Sequence, residues 1–121
     1  MSRMVLSILA FNVFMQAFAQ EKGSLTYVTD VRPIIQKNCL PCHLEENENP
    51  SGFSMDNYEL LMKGGKHGSP VVPGKPEVSN MYLKLLPDPP FGRQMPRTRR
   101  KLSNEEVQLI YAWIEQGARK E

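Results

Sequence analysis

A chain of 121 residues allows one domain, and 40% hydrophobic with 23% charged residues is the balance of a folded protein. The net charge of +2 falls almost to zero without Arg3, which leaves 14 basic residues against 13 acidic ones. A nucleic-acid binder would show a sustained basic excess, so that class is set aside.

The first nineteen residues read as a secretory signal peptide. Arg3 gives a basic start, Met4 to Met15 is almost wholly apolar, and Ala17-Phe18-Ala19 is a small-x-small cleavage site before Gln20. The rival is a membrane anchor, but the apolar run is short of the roughly 20 residues a span needs and is interrupted by Ser7 and Asn12. The expectation is therefore a signal peptide over 1–19 and a single domain over 20–121. Once cleaved near Ala19/Gln20, the chain would be periplasmic or otherwise exported, with no transmembrane anchor.

Four short helices follow, joined by long loops. The first is predicted over about 31–38, with Asp30 as N-cap and Pro33 tolerated in the first turn. It delivers Cys39 at its end. The second, about 55–63, has Ser54 as cap and stops at Gly64-Gly65. The third, about 76–86, starts on Pro76, packs Val78, Met81, Tyr82 and Leu85, and ends at the prolines 87, 89 and 90. The last is the clearest. Ser103 and Glu106 form a capping box, Gly117 stops the helix, and Val107, Ile110, Tyr111 and Ile114 make its apolar stripe, widened by Leu109 and Trp113. Most of the 10 prolines and 8 glycines lie between Pro50 and Pro96, so the middle should be rich in loops. No strand alternation persists, and the predicted class is all-α. So small a domain buries little apolar surface, a deficit that exported domains make up with disulfides, metals or cofactors.

The motif Cys39-Leu40-Pro41-Cys42-His43 is the attachment signature of c-type haem. Two thiols three residues apart on one helical turn can reach the two vinyl groups along one haem edge, and the adjacent histidine then lies beneath the iron. Three rivals share the residues. A thioredoxin-like pair needs a βαβ context, which is absent; structural zinc needs four ligands; a disulfide here closes too small a loop to stabilise much. One covalent haem c at Cys39, Cys42 and His43 is the reading.

For the sixth iron ligand, Met95 ranks first. It lies in a loop before the last helix, and Pro96 biases it to an extended conformation that helps a loop hold a thioether against iron. His67, in the Gly64 to Gly74 loop, and Met81 come next. Met81 and Met62 fall on apolar helix faces and read better as core, Met55 begins the second helix, and His67 reads better as a solvated loop residue. The basic residues Arg93, Arg97, Arg99, Arg100 and Lys101 are either a docking patch or propionate partners, or else a solvated loop. Glu45, Glu46 and Glu48 read as a hydrated loop.

Val28 to Ala118 resembles the cytochrome c domains of planctomycete-type bacterial proteins. The matching pieces are Asp30-Val31-Arg32-Pro33-Ile34, Cys39 to His43, Gly64-Gly65-Lys66, Val72-Pro73-Gly74-Lys75-Pro76-Glu77, Met95-Pro96, Leu102-Ser103, Trp113-Ile114 and Gly117-Ala118. Leu44 and Arg97 stand where the family often has glycine and proline. The resemblance implies a class I-like cytochrome c fold around one haem, with the first and last helices crossing beside it and Met95 on the methionine position. The expected function is one-electron transfer to redox partner proteins rather than enzymatic catalysis. The alternatives are a haem-binding subunit, a sensor or a peroxidase-like domain.

Overall fold

The computed structural model describes residues 23–47, 49–98 and 100–121. The predicted signal peptide, Glu48 and Arg99 lie outside them. The described residues form helices and loops with no strand; one isolated antiparallel bridge joins Gly65 and Gly68.

The chain enters through a π-helical turn, Tyr27–Val31, which runs directly into α1, Arg32–Asn38. Asp30 does not cap α1. The Thr26 hydroxyl accepts from the Thr29 N–H at 3.2 Å, and the Thr26 N–H donates to the Asp30 carboxylate at 2.8 Å. Thr26 and Asp30 thus close the start of the turn together, one helical turn before the predicted boundary. The wider hydrogen-bond spacing ends just before Pro33, a residue with no N–H to offer.

The second helix, α2, is Tyr58–Lys63 and starts later than the sequence suggests. Asn57 takes the cap, its side-chain oxygen accepting from the Leu60 N–H at 2.9 Å. Residues 54–57 stay outside the helix, with Met55 buried in the core. The predicted third helix is two pieces. A 3₁₀ turn, Pro76–Val78, and α3, Asn80–Leu83, are separated by Ser79 in extended conformation. Val78 is 59% exposed, so it does not pack as the helical spacing implied.

The last helix, α4, is Asn104–Glu115. The Ser103 hydroxyl accepts from the Glu106 N–H at 3.2 Å, as the capping box predicts. The Glu106 carboxylate instead turns to α1, accepting from the Asn38 amide at 3.1 Å and lying 3.8 Å from Lys37. At the far end Trp113 packs beside Tyr27, ring centroids 6.5 Å apart. The first and last helical segments therefore run past each other in opposite senses. Val31, Ile35, Leu61, Ile110, Trp113 and Ile114 are fully buried between them and α2. Burying each such aliphatic side chain contributes about 1.5–3 kcal/mol, which makes this seam the main apolar stabilisation of the domain.

Candidate functional site

The turn Cys39–His43 leaves the end of α1. The Cys39 N–H still donates to Ile35 at 2.9 Å, and Leu40 donates to the same carbonyl at 3.2 Å. The chain then closes on itself, the His43 N–H reaching the Cys39 carbonyl at 3.2 Å. The motif is a compact turn rather than a continued helix, as Pro41 favours. Two further carbonyls of the turn are taken: Pro41 accepts from the Asn47 amide at 2.6 Å, and His43 accepts from the Met55 N–H at 2.6 Å. A turn with its backbone groups satisfied in this way holds its side chains in place.

Cys39 is half-buried and packs against the core, whereas Cys42 is exposed. The two are not joined by a disulfide. His43 is half-buried, with its Nδ1 3.0 Å from the Phe53 carbonyl oxygen and its ring 5.3 Å from the Phe53 ring. A carbonyl can only accept, so Nδ1 is the donor, and in the neutral imidazole Nε2 keeps the lone pair that could bind a metal. The Asn49 amide also donates to the Phe53 carbonyl and fixes it. Ligating histidines are oriented in this way in metal centres, the second ring nitrogen donating to a backbone carbonyl.

Met95 stands on a different segment, between α3 and α4. It is half-buried, and its N–H donates to the Lys84 carbonyl at 2.8 Å. Lys84 bends back over the same loop: its ammonium donates to the carbonyls of Phe91 and Arg93, each at 2.6 Å, and sits 4.7 Å from the Phe91 ring centroid. Burial, with a smaller contribution from Arg97, pushes the Lys84 ammonium below its ordinary value. Lys101 grips the other end, donating to Gln94 at 3.2 Å and to Pro96.

The other possible ligands are placed apart in character. Met81 and Met55 are buried in the core, and Met62 packs against it half-buried. His67 is exposed, as a loop histidine, and its ring stacks on Phe91 with centroids 4.0 Å apart. Arg93, Arg97 and Arg100 are exposed. Phe53, Asn49 and Lys84 are the residues that sequence reasoning missed, and Lys101, read there within a docking patch, a set of propionate partners or a solvated loop, donates to the Gln94 and Pro96 carbonyls. Phe53 acts through a backbone carbonyl, which leaves no mark on residue type. Lys84 looks like any surface lysine until the loop folds over it.

The donor set suits a haem of the c type: two thiols not joined by a disulfide, one packed and one exposed, beside a histidine whose Nδ1 is turned to a backbone carbonyl. Half-buried apolar side chains (Leu40, Phe53, Met62, Tyr82, Leu85 and Leu102) border the core and suit contact with a flat apolar body. Comparison with known families agrees. Residues 39–97 match the family model described as Planctomycete cytochrome C. That span runs from the first cysteine to just past Met95, and the match supports a cytochrome c domain, which is a haem-binding domain. No curated protein and no solved structure matches the chain. No described helix is long and apolar enough to cross a membrane.

Proposed function

We propose that the chain is an exported one-electron carrier holding a single haem c, thioether-linked to Cys39 and Cys42. His43 is the proximal iron ligand and Met95 the distal one. The observation that carries this reading is the hydrogen bond from His43 Nδ1 to the Phe53 carbonyl, which leaves Nε2 available to a metal beside two cysteines not joined by a disulfide. Residues 1–19 act as a signal peptide removed near Ala19, delivering the domain to the periplasm or its equivalent.

Bound haem supplies an iron that changes oxidation state by one electron. The protein's own part is orientation and environment. The Cys39–His43 turn, closed by hydrogen bonds, presents both sulfurs and the imidazole from one short segment. The Phe53 carbonyl fixes the imidazole tautomer and raises its basicity. Met95 offers a thioether, which favours the reduced iron and raises the potential. Redox partner proteins would be met outside the cytoplasm.

Intact mass and absorbance test the proposal together. After expression with haem-attachment machinery, the mass should exceed the polypeptide by one haem, and the ferric protein should show the far-red band of methionine ligation. Met95→Ala should remove the band, lower the potential and leave the haem attached, while Met81→Ala should destabilise folding and keep the band. A cofactor-free chain with a Cys39–Cys42 disulfide overturns the haem reading. Loss of the band in His67→Ala or Met81→Ala but not in Met95→Ala overturns the distal assignment. A ferric spectrum with an open sixth position would instead indicate a peroxidase-like or sensor role.

A further inference from the structure

The loop Phe91–Pro96 is held in an unusual way. Four of its carbonyls, those of Phe91, Arg93, Gln94 and Pro96, accept from just two ammonium groups. Lys84 comes from the end of α3 and Lys101 from just before α4, so the loop is gripped from both elements it connects. The Lys84 backbone adds to the grip by accepting the Met95 N–H, and the Gln94 amide donates to the Leu85 carbonyl at 2.8 Å. On the outside, the Phe91 ring has the Lys84 charge near its face and the His67 ring stacked on it.

This arrangement is poorly explained by solubility or by overall stability. A lysine kept for solubility extends its charge into water. A lysine kept for stability would sit by a carboxylate, yet the ion pairs among the described residues join Lys37 to Glu106 and Lys120 to Glu59. Lys84 is instead half-buried, in a segment that already carries Arg93 and Arg97, and burial pushes its ammonium below the ordinary value. What the two ammonium groups achieve is local. Hydrogen bonds from an ionised donor are about twice as strong as neutral ones, and here they converge on the carbonyls to either side of Met95.

We propose that Lys84 and Lys101 are positioning residues that lock the Phe91–Pro96 loop in one conformation and so fix where Met95 presents its thioether. This rests on the reading of Met95 as the distal ligand. Without the lysines the same thioether would have to be recruited from a loop that samples many conformations, and external ligands would compete with it better.

The test uses the haem-loaded protein with Lys84→Met and Lys101→Met, which keep chain length and remove the donors. Two readouts are taken: the rate at which added imidazole displaces the ferric far-red band, and hydrogen exchange at the amides of residues 91–97. Both should quicken by about tenfold in each variant, the size expected for losing a charge-assisted hydrogen bond, while the α4 amides exchange as before. Should Lys84→Met fail to load haem, Lys101→Met, outside every helix, carries the same comparison. Unchanged imidazole entry and unchanged exchange at 91–97 overturn the clamp. Met95→Ala is run alongside: retention of its far-red band overturns the ligand assignment instead, so the two failures are told apart.

Discussion

Trp113 has no exposed surface, and an indole buried so completely must find an acceptor for its N–H. It finds the Arg119 carbonyl at 2.9 Å, which also accepts the Tyr27 N–H at 2.8 Å. One carbonyl thus ties the last helix to the first turn. Trp113→Ala removes ring and tie together and should cost about 3–5 kcal/mol in denaturant unfolding. An unchanged midpoint, with weaker partner binding, would make Trp113 a docking residue instead. Ser79 is buried to the same degree for a different reason. Its hydroxyl accepts from the Val72 N–H at 2.9 Å and donates to the Lys75 carbonyl at 2.8 Å, tying the loop before the 3₁₀ turn to the start of α3. Ser79→Ala leaves both groups without that partner and should cost about 1–3 kcal/mol; a loss under about 0.5 kcal/mol would show that water replaces the hydroxyl.

At the level of elements, Gly64 ends α2 with φ of 73°, and a Cβ placed there would lie 1.9 Å from the Gly68 carbonyl oxygen. Gly64→Ala should therefore cost more than the roughly 1–2 kcal/mol that a left-handed backbone alone imposes. A melting temperature within error of the parent would mean that the 64–68 loop shifts freely. This stop was legible in the sequence, and so was α4, because Ser103 and Gly117 act on the ends of the helix beside which they stand. The boundaries that moved did so where short polar side chains compete for the same backbone groups. Asn57 outcompeted Ser54 as the cap of α2, and Ser79 bonded to neighbouring backbone and split the third helix. The Cys39–His43 segment was legible as a motif because its chemistry lies in side-chain identity at fixed spacing. Its support was not, since the Phe53 carbonyl and the carbonyls gripped by Lys84 and Lys101 belong to the backbone and meet their partners only in the folded chain.

Over the whole molecule, the described N-terminal segment and the C-terminal tail are sewn together. Tyr27 and Val28 donate to the Arg119 and Lys120 carbonyls at 2.8 and 3.1 Å, the Tyr58 hydroxyl donates to Ala118 at 2.9 Å, and the Lys120 ammonium meets the Glu59 carboxylate at 2.5 Å. In a domain this small a few such closures are a large share of net stability. Deleting residues 119–121 removes the acceptors of Tyr27, Val28 and Trp113 and should cost about 2–4 kcal/mol, measured by denaturant unfolding of the haem-loaded chain. The same tail sets part of the acid response. The hydrogen bond from Lys120 holds the Glu59 carboxyl below its ordinary value of 4.5, and hydrogen bonding to its own backbone and then to Tyr111 holds Glu77 below the same value. A carboxylate whose folded pKa is depressed stabilises the fold above its unfolded value, and that contribution is lost as pH falls through the folded one. Melting temperature should therefore be level from neutral pH to about 5 and decline below about 4.5. Glu59→Gln should flatten part of that decline in the full chain, but should change it little in the chain lacking 119–121, where Lys120 is already gone. An equal effect in both backgrounds would show that Glu59 owes its acid sensitivity to some group other than Lys120.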